Sequence, residues 1–232
     1  MNNYSRALLA CACAALALNA KAATYLDATG ENFTAAGGGI LDISSVEVNS
    51  TATDLIFKIN LTGDPMATDW GKYMIALDTT AGGDTAGNGW GRPISMPSGM
   101  DYWVGSWVDS GNGAEVWKYT GAWGLQSATY AANPDNVGAT KDSSSVTVQF
   151  AFAGLGLAPG SSFVFDVFSS GGGGGDGAVD ALSSASQSIG DWGNSFSSQS
   201  TLSFTIPQVP EPASLTFVGL GSLLLVNRIR RR

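Results

Sequence analysis

Short segments in which apolar and polar side chains alternate dominate the middle of this chain. In residues 53–61, Leu55, Phe57 and Ile59 share one face, while Asp54 and Lys58 lie on the other. The same alternation recurs in residues 72–78, 145–152, 162–168 and 201–206. A period of two is typical of a β-strand with one buried face, and no stretch of the body carries the stripe of an amphipathic helix. The sequence therefore predicts an all-β domain over residues 23–206, an antiparallel β-sandwich of jelly-roll-like form.

Residues 1–22 have the layout of a secretory signal peptide. Arg6 precedes an apolar run over residues 7–18, and the triplet Ala-Lys-Ala follows at 20–22. This order of basic, apolar and small side chains predicts Sec export and cleavage by signal peptidase after Ala22. Both cysteines of the chain lie in this segment, so the exported protein is predicted to carry no thiol.

Residues 207–232 have three parts. A Pro-rich motif, an apolar run over residues 215–226 and an arginine cluster follow one another. The motif residues are Val209, Pro210, Glu211 and Pro212, and the arginines are Arg228, Arg230, Arg231 and Arg232. The apolar run is shorter than the roughly 20 residues of a typical membrane span, but the arginines favour retention of this end on the cytoplasmic side. The pattern predicts a tail with a short transmembrane helix.

This tail closely resembles the PEP-CTERM sorting signal of bacterial envelope proteins, with Val-Pro-Glu-Pro-Ala-Ser at 209–214. The resemblance implies a single-pass, transient anchor in the inner membrane and recognition by an exosortase, a membrane protease that cuts near Pro-Glu-Pro. It also implies a final location at the cell surface or in the extracellular matrix, where bacteria with this system deposit exopolysaccharide. The signal specifies where the protein is sorted and implies no activity.

Composition excludes several classes of function. The chain has no histidine, which removes Ser-His-Asp and Cys-His nucleophiles and imidazole-bound zinc or haem. Residues 23–206 hold 18 acidic and 5 basic side chains, a formal charge of −13. Such a surface repels nucleic-acid phosphates and is better suited to divalent cations or neutral glycans.

The first strands carry a more specific pattern. The apolar parity changes between Ile43 and Val46, which predicts a β-bulge at Ser44 and Ser45. The stretches Ile-Leu-Asp-Ile-Ser-Ser-Val-Glu-Val-Asn, from Ile40, and Asp-Leu-Ile-Phe-Lys-Ile-Asn-Leu, at 54–61, resemble the opening hairpin of DOMON-like and family 9 carbohydrate-binding sandwiches. The resemblance implies a sugar-binding module, because the haem-binding branches commonly need a histidine ligand.

Residues 101–109, Asp-Tyr-Trp-Val-Gly-Ser-Trp-Val-Asp, place two indoles on one face of a predicted strand. Aromatic rings pack on the C–H faces of sugars, while carboxylates accept hydrogen bonds from the hydroxyl groups. The predicted glycan-binding residues are Trp103, Trp107, Asp101, Asp109 and, on the next strand, Trp117. The alternative is that both indoles belong to the core, as large aromatic side chains usually do.

Oxygen-rich loops point to calcium as the one candidate cofactor. Asp78 and Asp84 lie in a loop that offers the hard oxygen ligands that calcium prefers. A second place for the ion is near Asp176 and Asp180, after the glycine run at 171–175. The alternative at both places is a solvated turn.

Asp101, Asp109 and Glu115 are formal candidates for the carboxylate pair of a glycosidase. Carboxylates this frequent are ordinarily surface charge, and the sequence builds no deep cleft, so the protein is predicted not to be an enzyme. Two functions stay open: an exported module that binds glycan or exopolysaccharide, and a structural matrix or surface protein without a specific ligand. Exposure of the Trp face distinguishes them.

Overall fold

Fourteen short strands make up most of the regular structure in the computed structural model, which describes residues 22–33 and 36–208. The strands are β1 Ala23–Leu26, β2 Ile43–Ser50, β3 Asp54–Leu61, β4 Lys72–Asp78, β5 Ile94–Ser95, β6 Tyr102–Trp107, β7 Gly113–Tyr119, β8 Trp123–Ala128, β9 Gly138–Lys141, β10 Ser145–Ala151, β11 Ser162–Ser170, β12 Asp180–Ala181, β13 Phe196–Ser197 and β14 Leu202–Thr205. Two 3₁₀ segments, Ala36–Gly39 and Phe152–Leu155, complete the regular elements of this part of the chain.

Two antiparallel sheets form the body. One has the strand order β1-β2-β3-β10-β9, and the other has the order β12-β11-β4-β6-β7-β8, with β14 also paired to β11. The chain passes from one sheet to the other after β3, after β8 and after β10. β5 and β13 add a small parallel pair. The prediction of an all-β, antiparallel architecture is confirmed, and the two sheets pack as a sandwich.

The inner core consists of the apolar faces that the alternation predicts. Leu55, Phe57 and Ile59 of β3 are fully buried and belong to one cluster with Tyr73 and Phe165 of the opposite sheet. The rings of Phe57 and Phe165 meet edge to face, with centroids 5.4 Å apart. Each such side chain contributes about 1.5–3 kcal/mol through burial, so this cluster holds the two sheets together.

The predicted bulge in β2 is confirmed. Ile43 pairs with Leu61 and Ser45 pairs with Asn60, so Ser44 is the extra residue on its strand. The bulge lets Ile43 and Val46 both reach the inner core, although they are three positions apart.

The outer face of the larger sheet is covered as well, which the alternation did not predict. Met74, Ala76, Trp103 and Phe168 on this face form a second buried cluster. Its other buried members include Ile94, Met96, Met100, Ile189 and Phe196. These residues come from two stretches with little regular structure, residues 79–101 and 171–201, which we call the covering segments. Strand β4 is consequently buried on both faces.

All of the predicted signal peptide except Ala22 lies outside the described residues, as do the tail from 209 onward, the predicted transmembrane helix and its arginines. Within the part of the chain that the structure describes, no helix has the length and apolar character needed to cross a bilayer.

Candidate functional site

Glu115 of β7 accepts hydrogen bonds from three aromatic side chains. The indole N–H groups of Trp90 and Trp117 donate to its Oε2 at 2.8 and 2.6 Å. The hydroxyl of Tyr130 donates to Oε1 at 2.6 Å. We call these four residues the Glu115 cluster. One carboxylate thus fixes the orientation of three rings.

The pairing of β6 with β7 builds this cluster. Gly105 lies opposite Glu115, and Trp107 lies opposite Gly113, all on the outer face of the sheet. A Cβ atom on Gly105 would overlap the ring of Trp90, and one on Gly113 would overlap the ring of Trp107. Glycine is therefore needed at both positions because an indole packs directly on the backbone.

Further aromatic rings continue the surface. The ring centroids of Trp107 and Tyr130 are 6.1 Å apart, and those of Tyr119 and Trp123 are 5.5 Å apart. The Trp123 indole donates to Asp84 Oδ2 at 2.8 Å. We use the name aromatic surface for Trp90, Trp107, Trp117, Tyr119, Trp123 and Tyr130. Tyr130 is 64% exposed, and the other five are half-buried.

The rings of the Glu115 cluster are fixed by neutral donors around a charged acceptor. The hydrogen bond to Glu115, together with some burial and the charge of that carboxylate, raises the pKa of Tyr130 to about 12. Tyr130 therefore stays protonated and keeps donating at any physiological pH. Rings already fixed in this way lose little conformational entropy when a ligand packs on them.

Trp103 does not belong to this surface, and its predicted role as a ligand-binding residue must be corrected. It lies on the same face of β6 as Trp107, as predicted, but its exposed fraction is 0%. Its ring stacks on Phe168 with centroids 6.1 Å apart and rings inclined by 20°. The covering segments bury this part of the face, so the ring has no free side for a ligand.

Asp101 and Asp109 are both occupied by contacts within the protein. Asp101 Oδ2 accepts from the backbone N–H groups of Thr79 and Thr80 at 2.7 and 2.8 Å. Asp109 forms an ion pair of 3.2 Å with Lys72. These carboxylates therefore hold the loops at the two ends of β6. Neither one is bonded to the aromatic surface.

The predicted calcium ligands Asp78 and Asp84 have different surroundings. Burial first, and the charge of Asp101, raise the pKa of Asp78. Burial acts in the same direction on Asp84, but hydrogen bonds from Gly87, Ala86 and Trp123 outweigh it and lower its pKa. Both oxygens of Asp84 are used by these donors, so this residue positions Trp123 and shapes its own loop.

Sequence reasoning missed Trp90, Tyr130 and the central position of Glu115. Trp117 was identified because it follows the alternation of a strand, whereas Trp90 and Tyr130 lie in loops, where no periodicity indicates direction. One feature of the sequence does indicate that a further ring packs here. Gly105 lies between Trp103 and Trp107 on one strand face, and a glycine at such a position leaves room for a large side chain from elsewhere in the chain.

The comparisons with known proteins give a match for the tail. No curated protein and no solved structure shows significant similarity to this chain. Residues 208–232 match the model of the PEP-CTERM protein-sorting motif, and they contain all of the predicted motif residues and arginines. This match supports export, anchoring in a membrane before processing, and exosortase-dependent sorting.

Proposed function

We propose that the body of this exported protein binds a neutral polysaccharide of the cell envelope or matrix through the aromatic surface around Glu115. The observation that carries the proposal is the Glu115 cluster, in which one carboxylate holds two indoles and a phenol in fixed orientations. Sugar rings pack their C–H faces on such side chains. Binding by preoriented rings avoids most of the entropic cost of ordering them.

The charge of the body favours a neutral ligand. Residues 23–206 carry a formal charge of −13, which repels phosphate and uronate polymers at low salt. The three donors around Glu115 are neutral. The Arg92 guanidinium lies 5.4 Å from the centroid of the Trp90 ring, but it is buried and donates to Ser170 and to the backbone carbonyls of Gly171 and Asp176, so it is not open to an acidic ligand. Exosortase sorting supports the same assignment, because it delivers an exported protein to places where such polymers are found.

We assign the surface a binding role and no catalytic one. Glycoside hydrolysis needs two carboxylates, one on each side of the scissile bond. Glu115 is held by three aromatic donors, Asp109 by Lys72, and Asp101 by a loop backbone. A carboxylate engaged in this way is poorly placed to protonate a leaving group or to attack an anomeric carbon.

The proposal is tested by affinity electrophoresis of the purified full chain in mild detergent. The gels contain laminarin, hydroxyethyl cellulose or galactomannan as neutral polymers, and alginate as an acidic one. We expect retardation by at least one neutral polymer and none by alginate. Trp107→Ala or Tyr130→Ala should weaken binding by about two- to tenfold, since one stacking ring is worth about 0.5–1.5 kcal/mol.

The control variant is Leu26→Ala, which removes an apolar side chain that is 83% exposed on β1 of the other sheet. It should bind like the parent protein. Equal mobility of all variants in every polymer, with circular dichroism showing them folded, would remove the aromatic surface as a binding site.

A further inference from the structure

Three carboxylates converge between the two sheets. Asp27 follows β1 of the smaller sheet, Glu31 lies in the loop after it, and Asp180 begins β12 of the larger sheet. One carboxylate oxygen of each lies within 4.8 Å of the other two. In the described residues this is the group of acidic side chains close enough to share one cation. We call these three residues the acidic pocket.

Three oxygen atoms of the acidic pocket are buried and have no hydrogen-bond partner among the described residues. They are Asp27 Oδ2, Glu31 Oε1 and Glu31 Oε2. Unpaired buried acceptors are rare in native proteins, because each has lost its water without a replacement. The whole carboxylate of Glu31 is in this state. The pocket therefore requires an electropositive partner.

The remaining oxygens of the pocket are held in place by the backbone. Asp27 Oδ1 accepts from the N–H of Ala28 at 2.9 Å. Asp180 is fully buried, and its two oxygens accept from the N–H groups of Ile43 and Ala181 at 2.7 Å each. Carboxylate oxygens have further lone pairs, so these bonds orient the groups and leave them able to coordinate a cation.

The charges that act on the pocket are negative. Burial is the largest cause that raises the pKa of Asp27, to about 7, and the charges of Glu31, Asp166 and Asp42 add to it. Burial and the charge of Asp27 likewise raise the pKa of Asp180. One cation can contact an oxygen from every member of the pocket, because these oxygens lie within 4.8 Å of one another.

We propose that Asp27, Glu31 and Asp180 bind a calcium ion that joins the loop after β1 to strand β12. Calcium takes six to eight oxygen ligands, supplied by carboxylates, amide or backbone carbonyls and water. The body contains neither histidine nor cysteine, so the nitrogen and sulfur ligands that zinc prefers are absent from its sequence. The ion joins the two sheets at a place where the structure supplies buried oxygens and no positive charge.

The proposed calcium site shares no residue with the aromatic surface, and this proposal does not depend on the function proposed for that surface. It also differs from the place that the sequence suggested, since Asp78 and Asp84 take no part and only Asp180 of the second predicted pair does. Asp176 instead accepts from the N–H of Gly173 at 2.8 Å within the glycine-rich loop.

The test is thermal unfolding of the full chain in detergent at pH 7.5, after dialysis against EGTA. Addition of 1 mM CaCl2 should raise the melting temperature by roughly 5–10 °C, the shift expected at about one hundred times Kd for a domain of this size. The same concentration of MgCl2 should give a much smaller shift, because magnesium requires a stricter octahedral geometry. Isothermal titration with CaCl2 should give one site per chain.

Glu31→Gln is the informative variant, because neither oxygen of Glu31 makes a hydrogen bond that the change could break. We expect it to lose the calcium shift while melting at or above the temperature of the parent protein in EGTA, since one of the repelling charges is gone. Asp78→Asn is the matched control and should keep the full shift. The proposal is overturned if calcium leaves the parent protein unchanged, or if Glu31→Gln responds like the parent. If Asp78→Asn alone loses the calcium shift, the ion binds in the loop that contains Asp78, and the proposal is wrong.

Discussion

Trp103 and Trp107 show how one strand face provides two different surroundings. Both indoles leave β6 on the outer face of the larger sheet, on either side of Gly105. Trp103 is fully buried against Phe168, whereas Trp107 is half-buried near the exposed Tyr130. The buried ring stabilises the second cluster, and the half-buried one is available to a ligand.

Trp103→Ala should therefore destabilise the fold by about 3–5 kcal/mol, because it removes a large buried ring and leaves a cavity. Trp107→Ala should cost far less, since its ring is already partly in water. Urea unfolding followed by circular dichroism measures both values. Similar losses for the two variants would contradict the difference in burial described above.

At the scale of the element, the burial of the outer face of β4, β6 and β11 depends on how the covering segments are attached to the sheet. Asp166 of β11 is fully buried and provides one such attachment. Its Oδ2 accepts from the hydroxyls of Ser183 and Ser198 at 2.6 and 2.5 Å. Its Oδ1 accepts from the N–H groups of Val167 and Ser183. One side chain thus fastens two points of residues 171–201 to the sheet.

This attachment predicts a dependence of stability on pH. Burial outweighs the hydrogen bonds and raises the pKa of Asp166 from 3.8 to about 6. Between these values the folded state holds a proton that the unfolded chain has lost, so the free energy of unfolding falls as pH rises. A shift of two units corresponds to a loss of about 3 kcal/mol.

Asp166→Asn should remove this loss, because an amide does not titrate and the two serine hydroxyls can turn to accept its N–H groups. Urea midpoints of the parent protein and the variant should diverge between pH 4 and pH 6. Titrating carboxylates other than Asp27, whose pKa the charge of Asp166 helps to raise, act on both proteins alike. Parallel curves would mean that Asp166 does not titrate in this range.

The strands and the inner core could be predicted from the sequence, and the second layer could not. Alternation in β3, β4 and β10 identifies the side chains that face the opposite sheet, and a change of parity locates the bulge at Ser44. The covering segments contribute isolated apolar residues such as Ile94 and Phe196, separated by glycine, serine and proline. Isolated residues have no period, so nothing in the pattern indicated that Trp103 would be covered while Trp107 remained partly exposed.

For the molecule as a whole, the tail determines where the sandwich is delivered. The match at residues 208–232 ends on the arginine cluster, at the opposite side of the apolar run from the Pro-Glu-Pro motif. Guanidinium groups resist transfer through a bilayer at a cost of about 2.5–3.5 kcal/mol each. The cluster is therefore expected to keep the tail in the inner membrane until processing near Glu211.

Replacing Arg228, Arg230, Arg231 and Arg232 with serine should release unprocessed protein or send it to the wrong fraction. Cell fractionation with immunoblotting measures this outcome. The same four positions changed to lysine keep the charge and should sort normally. If the serine variant fractionates and is processed like the parent, the arginines do not act as an anchor.

The last strand before the tail has a mechanical consequence. β14 is joined to β11 by four residue pairs and a hydrogen bond between the hydroxyls of Ser162 and Thr205. Two further backbone bonds lie at Ile206, and the hydroxyl of Tyr25 donates to the carbonyl of Ser203. It lies on the side of the larger sheet that is opposite to β8, where the aromatic surface lies. Tension on a tethered tail therefore loads β14 first. β14 would separate from β11 and lengthen the tether, while β6, β7 and β8 at the far side of the sheet stay paired.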